Sequence, residues 1–348
     1  MAESTDQFET RKRDHIEQAM ASRNQTTGLN GLDQIGLKHE ALPDTNFFEI
    51  SLQAKALEKK LETPFLVSSM TAGHVDSVNL NLMLARACYQ RSWVFAVGSQ
   101  RRELTDPDAA AEWKKIRQEF PRLSILGNIG ISQLIETSTA DIEKLVEGLG
   151  ASGMIVHLNP LQESIQKEGT PNFEGSFESL KRLSSELSVP VIVKETGCGI
   201  SETTLYRLNE LNVAAVDVAG LGGTHWGRIE GSRLDPDHML YKVAETFGDW
   251  GISTAQSLKN ARSVGMKCET WASGGMRTGL DAAKAIAMGA SLVGFAKPIL
   301  EGALQGEQGL NQVMERIEYE LKTAIFCTGL KSVSELYNNE EVLVWASH

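Results

Sequence analysis

The sequence lacks the features that would place the protein in a membrane or in an oxidising compartment. No apolar run approaches the roughly 20 residues that a membrane-spanning helix needs. The N-terminal stretch MAESTDQFETRKRDH has no apolar core of the kind found in signal peptides. The four cysteines are scattered and form no C-x-x-C pair, which favours a reduced setting without disulfides. We therefore expect a cytoplasmic protein with no membrane partner.

An excess of positive charge is also absent. The chain carries 34 Lys and Arg against 45 Asp and Glu, a formal net charge of -11. Proteins that bind nucleic acid in general present a broad basic surface, so we expect no nucleic-acid partner, although a small local anion site is compatible with this charge. With 348 residues, 41% of them hydrophobic and 23% charged, the chain can build a large core.

What the sequence does contain is a regular alternation of short apolar runs and longer amphipathic stretches. Helical patterns such as ADIEKLVEGLGA and LDAAKAIAMGA separate the apolar runs. The predicted strands lie near 64–69, 94–99, 123–128, 153–159, 190–195, 214–220, 269–275 and 291–296. Strands that alternate with helices in this way predict an α/β fold, a (β/α)8 TIM barrel. We expect one domain over 1–348, with an N-terminal extension at 1–60, the barrel at 61–305 and a C-terminal helical tail at 306–348.

Chemistry in such barrels belongs at the carboxyl ends of the strands. The fourth run ends in HLNPLQE, where His157 and Asn159 share a face because alternate strand residues point the same way. Pro160 ends the strand, so Gln162 and Glu163 are expected in a loop over the mouth. A lone carboxylate such as Glu163 suits Mg²⁺ shared with substrate phosphates. The alternative is a hydrogen-bonded plug without catalytic work.

A phosphate site is predicted after the seventh and eighth strands. Gly274 and Gly275 precede a helix, and glycines there let backbone N–H groups approach an anion. Ala296 and Lys297, at the end of the eighth strand, would lie beside them. The alternative is a tight turn that binds nothing.

Lys194, at the end of the fifth run, admits three interpretations. It could pair with Glu195 or another acid as a structural ion pair. It could form a Schiff base, because a desolvated lysine is a good nucleophile. It could also place positive charge against an electron-rich cofactor ring.

Further polar residues close the remaining strands. The glycine-rich stretch DVAGLGGTHWGRIEG follows the sixth strand and could supply the Thr224 hydroxyl and the Trp226 ring, or could be a surface loop. Arg101 brings positive charge to the second strand end, and the amide of Asn128 could bind the polar edge of a ring. The basic cluster RKRDHIEQAM, with Arg11, Lys12 and His15, is either a solvated helix start or an arm over an anionic substrate.

Together these motifs resemble the type 2, FMN-dependent isopentenyl-diphosphate isomerase family over nearly the whole chain. The combination of the arm motif with HLNPLQE is the most diagnostic, because FMN-phosphate loops also occur in other flavin barrels. The motifs that carry the resemblance are RKRDHI, SSMTAG, GSQR, GNIG, HLNPLQE, VIVKETG-GIS, DVAGLGGT-W, SGGMRTGLDAAKAIAMGA and ELKTAIFCTG.

The resemblance implies an activity and its cofactors. It implies interconversion of isopentenyl diphosphate and dimethylallyl diphosphate by a 1,3-allylic proton shift without net redox change. It further implies reduced FMN, Mg²⁺, NADPH as a reductant, and a homo-oligomer, either a tetramer or an octamer.

The resemblance also implies roles for individual residues. Gln162, His157, Asn159 and Lys194 are the implied catalytic group, with Gln162 beside the reacting carbons and Glu163 on Mg²⁺. The implied substrate contacts are Arg11, Lys12, His15, Arg101, His157, Asn159 and Gln162. The implied FMN contacts are Met70, Thr71, Ala72, Ser99, Asn128, Lys194 and Thr224 for the ring and ribityl chain, and Gly274, Gly275, Met276, Ala296 and Lys297 for the phosphate.

Some positions depart from the family pattern, and rival functions remain. Ala72 stands where the family usually has glycine, His225 where serine is expected, and Cys198 where a larger apolar residue is expected. A titratable His225 could alter pH dependence. The rivals are an FMN barrel oxidoreductase of the 2-hydroxy-acid oxidase or inosinate dehydrogenase type, a Schiff-base lyase using Lys194, and a non-enzymatic phosphate-ligand-binding barrel.

Overall fold

The computed structural model describes residues 14–70 and 77–345. Its centre is a closed barrel of parallel strands in the order β10-β11-β4-β5-β6-β7-β8-β9. The strands are β1 (Ile35–Leu37), β2 (Ala54–Ala56), β3 (Lys59–Leu61), β4 (Phe65–Val67), β5 (Val94–Ala96), β6 (Ile125–Gly130), β7 (Met154–Leu158), β8 (Val191–Glu195), β9 (Ala215–Asp217), β10 (Glu269–Ala272), β11 (Leu292–Phe295) and β12 (Leu343–Trp345).

Helices surround the barrel and follow its strands. The predicted helices at ADIEKLVEGLGA and LDAAKAIAMGA are confirmed as α4 and α11. The helices are α1 (Ser77–Arg91), α2 (Ala111–Glu119), α3 (Ile131–Glu136), α4 (Thr139–Leu149), α5 (Pro160–Ile165), α6 (Ser176–Glu186), α7 (Glu202–Leu208), α8 (Trp226–Ser232), α9 (Met239–Thr246), α10 (Thr254–Val264), α11 (Gly279–Ala287), α12 (Lys297–Leu304), α13 (Gly306–Cys327) and α14 (Val333–Leu336).

The predicted barrel is confirmed: each of the eight apolar runs supplies one of the strands β4 to β11. The strands end earlier than several runs do. The run at 94–99, for example, is strand only over Val94–Ala96. The residues after each strand end leave the ladder and form the mouth of the barrel, where chemistry is expected.

The barrel interior is filled and its bottom is closed. Inward-facing Leu66, Leu126, Ile155 and Trp271 belong to one buried cluster, which Ala56 of the hairpin β2–β3 joins. The hairpin is fixed to the barrel, because the Leu57 backbone N–H donates to Glu269 Oε1 at 2.8 Å. Ligands therefore have access only from the opposite end.

The two ends of the chain meet outside the barrel. The last part of the chain forms helices α13 and α14 and finishes in β12, which pairs antiparallel with β1. The apolar sequence VLVW, rich in β-branched and aromatic residues, favours this strand, and its partner lies too far away in sequence to predict. The expected boundary between the extension and the barrel, at residue 60, falls within the hairpin strand β3. Within the described residues, no helix has the length and apolar character required to cross a membrane.

The extension also supports the loops at the mouth. The Thr26 backbone N–H donates to the Gly223 carbonyl at 2.8 Å, and the His225 N–H donates to the Asn24 carbonyl at 2.9 Å. Further along, Asn30 Nδ2 donates to the Gly275 carbonyl at 3.1 Å. Residues 24–30 thus lie across the loops that follow β9 and β10, and they fix those loops in place.

Candidate active site

A cavity of about 540 Å³ opens at the carboxyl ends of the strands. The structure brings all the predicted site residues that it describes to this cavity. They are His15, Met70, Ser99, Arg101, Asn128, His157, Asn159, Gln162, Glu163, Lys194, Thr224, Gly274, Gly275, Met276, Ala296 and Lys297. Arg11, Lys12, Thr71 and Ala72 lie outside the described residues. Their shared location does not test individual roles, which stay predictions.

His157, near the end of β7, is oriented by Asn128 of the neighbouring strand. Its Nδ1 lies 2.8 Å from Asn128 Oδ1. The Asn128 amide can be assigned because its Nδ2 donates to the Val97 carbonyl at 3.2 Å, which turns the oxygen toward the ring. His157 therefore carries a proton on Nδ1. A carbonyl acceptor fixes the imidazole tautomer in this way.

Gln162 and Glu163 lie on helix α5, so the expectation of a loop at this point is wrong. Pro160 occupies the first turn, where its fixed φ and missing N–H favour helix initiation. The Glu163 carboxylate accepts from Asn159 Nδ2 at 2.9 Å and from the Thr170 N–H at 2.7 Å. Asn159 Nδ2 also donates to Gln162 Oε1 at 3.2 Å. Strand end and helix thus form one hydrogen-bonded unit.

Glu230 of α8 is the main residue that the sequence prediction missed on this side. Its Oε1 accepts from Gln162 Nε2 at 2.9 Å and lies 3.0 Å from His15 Nε2, while Arg233 Nη1 donates to its Oε2 at 2.6 Å. Burial alone would raise the pKa of Glu230, but His15, Arg233 and Gln162 outweigh it and lower the pKa to about 2. The helix sequence WGRIEGS also carries Arg228, so a charge on this helix does not by itself mark Glu230 as a site residue.

Lys194 pairs with an acid, and that acid is Asp217 rather than Glu195. Lys194 Nζ lies 2.7 Å from Asp217 Oδ2 and 2.7 Å from Ser273 Oγ, and the hydroxyl in turn donates to Asp217 at 2.8 Å. All three side chains are buried. Lys194 Nζ is thus held between two oxygen acceptors, so this geometry favours the ion-pair interpretation over the Schiff-base interpretation.

Glu195 points away from Lys194 because adjacent strand residues face opposite sides. Its Oε2 accepts from the backbone N–H groups of Thr196 and Gly197, both at 2.6 Å. Burial raises the pKa of Glu195 to about 7, against these hydrogen bonds and the charge of Lys194, which favour the carboxylate. Glu195 therefore shapes the loop after β8, which lines the cavity through Thr196 and Gly197.

The glycine loops after β9 and β10 pack directly against each other. Gly274 has φ +87°, and a Cβ there would lie 2.2 Å from the Gly220 carbonyl oxygen. Gly275 has φ +74°, and its Cβ would lie 2.6 Å from the Gly222 carbonyl oxygen. The loop after β9 is buried, so the surface-loop interpretation is wrong. Side chains at these glycines would separate the two backbones, so glycine is required here.

His225 and Trp226 have different tasks at the start of α8. His225 is fully buried and caps the helix, because its Nδ1 accepts from the Arg228 N–H at 3.2 Å. Burial lowers the pKa of His225, which favours the neutral ring. Serine, the residue expected here, is also a good N-cap, so both residues fit this position. Trp226 lines the cavity and stacks edge-on with His15 at 5.2 Å.

Several buried polar atoms in the cavity wall have no hydrogen-bond partner among the described residues. The buried oxygens Ser68 Oγ, Ser69 Oγ and Asn159 Oδ1 form no hydrogen bond with any residue that the structure describes. All three residues line the cavity. Buried polar groups are rarely left unpaired, so these atoms indicate a site for a polar ligand. Ser68 and Ser69 were visible in the SSMTAG motif, but nothing in the sequence showed their lack of partners.

No group of three His, Cys, Asp or Glu residues that could hold a metal occurs in the part of the chain that the structure describes. A metal held entirely by such side chains is therefore not indicated among those residues. Glu163 remains a possible single ligand for an ion that a substrate phosphate also binds.

Comparison with known proteins agrees with this geometry. The model of the FMN-dependent dehydrogenase family matches residues 141–343. The isopentenyl-diphosphate delta-isomerase of Legionella pneumophila (strain Corby) is 54% identical over 330 residues, covering 95% of this chain and 96% of its own. The chain belongs to the isopentenyl-diphosphate delta-isomerase family. The family member from Bdellovibrio bacteriovorus is 48% identical and is covered over its full length, with 98% of this chain.

Solved structures confirm the fold of this family member. A mutant flavocytochrome b2 with benzoylformate aligns with a TM-score of 0.70 at 19% identity, covering 97% of this chain and 83% of its own. An (S)-mandelate dehydrogenase aligns with a TM-score of 0.68 at 16% identity, covering 96% and 95%. At such identity the likeness extends to the barrel architecture alone.

Proposed function

We propose that the protein interconverts isopentenyl diphosphate and dimethylallyl diphosphate by a 1,3-allylic proton shift assisted by reduced FMN and Mg²⁺. One observation carries the proposal: the HLNPLQE side chains share a single cavity with Lys194 and the paired glycine loops. Relatives about half identical to this chain bear the isomerase name, which supports the same conclusion.

The cavity fits FMN in size and in chemistry. Its volume of about 540 Å³ is in the range of cofactor sites. The hydroxyls of Ser68 and Ser69, which have no partner among the described residues, offer hydrogen bonds to polar ring or ribityl atoms. The glycine backbone at 274–275, with Met276, Ala296 and Lys297, would hold the phosphate. Met70, Ser99, Asn128 and Thr224 would contact the ring and ribityl chain, together with Thr71 and Ala72.

Reduced FMN, when bound, would supply an electron-rich ring against which positive charge on an alkene can develop. Lys194 would set the charge beside that ring, since its ammonium is fixed by Asp217 and Ser273. This division, in which a cofactor supplies the chemistry and the protein supplies position and electrostatics, is general. Lys194 attacks nothing in this scheme.

The other side of the cavity would hold the substrate. Arg101, His157, Asn159 and His15 would bind the diphosphate, with Arg11 and Lys12 of the arm, through charge-assisted hydrogen bonds. Gln162 would lie beside the reacting carbons. The proton shift adds a proton at one end of the allylic unit and removes one at the other, so no electrons are gained or lost overall.

The oxygen atoms around Glu163 suit Mg²⁺, which prefers one or two carboxylates together with substrate phosphates and water. The Glu163 carboxylate is accompanied by Asn159 Oδ1, which has no hydrogen-bond partner in the described ranges 14–70 and 77–345. We propose Glu163 as the protein ligand of Mg²⁺. NADPH as reductant of FMN, a cytoplasmic location and a tetrameric or octameric assembly are part of the same proposal.

The experiment is product analysis with FMN-loaded protein. Anaerobically reduced protein with Mg²⁺ should convert isopentenyl diphosphate to dimethylallyl diphosphate, while protein with oxidised FMN should not. Oxidation of a 2-hydroxy acid by oxidised protein, with isopentenyl diphosphate unchanged by reduced protein, would instead establish an oxidoreductase. Tight diphosphate binding without turnover would indicate a binding protein.

A further inference from the structure

Arg233, which follows α8, links several segments around the substrate side without lining the cavity itself. Its Nη1 lies 2.6 Å from Glu230 Oε2, and its Nη2 lies 2.9 Å from Glu168 Oε1. Its Nε lies 3.7 Å from Asp14 Oδ2, in the helical segment that also carries His15. The guanidinium thus connects α8, the stretch after α5 and the N-terminal segment. Arginine suits such a site because its donors are arranged in a rigid fork.

The two oxygens of the Glu230 carboxylate contact different groups. Oε2 is engaged by Arg233, while Oε1 receives Gln162 Nε2 at 2.9 Å and lies 3.0 Å from His15 Nε2. The Glu230 side chain has no exposed surface. A buried carboxylate is disfavoured unless nearby cations and donors compensate its charge. Arg233 supplies such a cation at Oε2, while His15 lies beside Oε1.

The charge of Glu230 determines which way the Gln162 amide points. An ionised carboxylate only accepts hydrogen bonds, so it must face the amide nitrogen. The amide oxygen then faces Asn159 Nδ2 at 3.2 Å. A protonated Glu230 could also donate, and its preference for the amide nitrogen would then be lost. The carboxylate form of Glu230 therefore reinforces the orientation that Asn159 Nδ2, and Gln166 Oε1 at 3.4 Å from Gln162 Nε2, also favour.

We propose that Arg233 is a positioning residue for the isomerase reaction: it holds Glu230 ionised and thereby fixes the amide of Gln162 in a single orientation beside the substrate. Among the residues that the structure describes, the charged and titratable groups that face Glu230 are Arg233 from the same helix end and His15 from the N-terminal segment. This inference rests on the proposed function, since it assigns Gln162 to the reacting carbons.

The test compares the pH dependence of kcat for the reduced, FMN-loaded wild type with Arg233→Gln, Arg233→Lys and Glu168→Gln. Removing a close positive charge raises the pKa of a carboxyl, so Arg233→Gln should move the acidic limb upward by about 1–3 pH units. Its kcat should recover to within about tenfold of the wild type at high pH, where Glu230 is again ionised. FMN affinity, measured by fluorescence, should not change.

The two other variants separate charge from structure. Arg233→Lys keeps the charge, so its acidic limb should stay within about half a pH unit of the wild type. Glu168→Gln removes a different partner of Arg233 and leaves the Glu230 pair intact, so its limb should stay in place. An equal upward shift in Glu168→Gln, or an unshifted limb in Arg233→Gln, would overturn the proposal.

If Arg233→Gln does not fold, the proposal is tested with the double variant that combines Arg233→Gln and Glu230→Gln. Recovery of folded, FMN-binding protein with low kcat at every pH would support the proposal, because the buried charge that Arg233 compensates is gone. A double variant that also fails to fold would show that Arg233 acts through Asp14 and Glu168, against the proposal. A wild type without isomerase activity would refute the proposed function itself, a separate outcome from an unshifted limb in an active enzyme.

Discussion

The two halves of the cavity are built differently. On one side, the loops after β9 and β10 approach so closely that Gly274 and Gly275 have no room for a Cβ, and the wall is largely backbone. On the other side, β7 and α5 present side chains, and Gln162 is held by Asn159 and Glu230. On the backbone side, N–H groups can bind an anion whatever the neighbouring side chains are, provided that glycine is present. The side-chain side selects its ligand through specific groups.

The difference suggests a division of labour. The barrel architecture is shared with proteins that carry quite different names, such as the mandelate dehydrogenase with a TM-score of 0.68. The HLNPLQE half carries motif residues on which the resemblance to the isomerase family rests. We therefore expect changes on the side-chain half to affect turnover and changes on the backbone half to affect FMN binding and stability.

The largest expected effect is on turnover. Gln162→Ala should lower kcat by about 10²–10⁴-fold, the range for loss of a group that acts on proton transfer. FMN affinity and the unfolding midpoint should stay close to those of the wild type, because Gln162 lies on the side-chain half. Turnover assays and flavin fluorescence titration measure the two quantities. Loss of FMN along with activity would contradict the separation of the halves.

Lys194 should govern stability as well as activity. Lys194→Met leaves the buried Asp217 carboxylate without its cation, which should lower the free energy of unfolding by about 3–5 kcal/mol. Adding Asp217→Asn should restore most of this loss, since the unpaired charge is then removed. Urea unfolding of the single and double variants checks both expectations. A single variant as stable as the wild type would show that the pair is unimportant for folding.

Gly274→Ala tests the close approach of the two backbones. The added Cβ would lie 2.2 Å from the Gly220 carbonyl oxygen, and Gly28 provides a matched control with φ +85° and nothing within 4 Å. Both variants incur the left-handed strain of about 1–2 kcal/mol, but only Gly274→Ala adds overlap worth about 1–3 kcal/mol. Gly274→Ala should therefore bind FMN less tightly and unfold earlier than Gly28→Ala. Identical behaviour of the pair would contradict this packing argument.

The smallest expected effect concerns the metal. Glu163→Ala should raise the Mg²⁺ concentration for half-maximal activity by about tenfold, the lower end for losing a metal contact. Glu174→Ala, an exposed carboxylate in the segment that follows, is the matched control and should change nothing. Titration of activity with Mg²⁺ compares them. An unchanged requirement in Glu163→Ala would remove Glu163 from the metal.

The barrel, and the residues that line its mouth, could be predicted because both follow from local sequence patterns. Each strand is an apolar run with its own boundaries, and parallel strands bring their ends to one rim. The partners of these residues were not predictable. Glu230 lies 68 residues from Gln162, and Asp217 lies 23 residues from Lys194, so only the closed barrel brings them together. The placement of Gln162 on a helix was missed because Pro160 both ends a strand and begins a helix.

The claim that the cavity performs an isomerisation without net redox change can be tested most directly in one anaerobic cuvette. The flavin absorbance is followed while dimethylallyl diphosphate is quantified from excess isopentenyl diphosphate and reduced, FMN-loaded protein. The account predicts many product molecules per FMN with the flavin remaining reduced throughout. Flavin reoxidation in step with substrate consumption, at no more than one molecule per FMN, would contradict it.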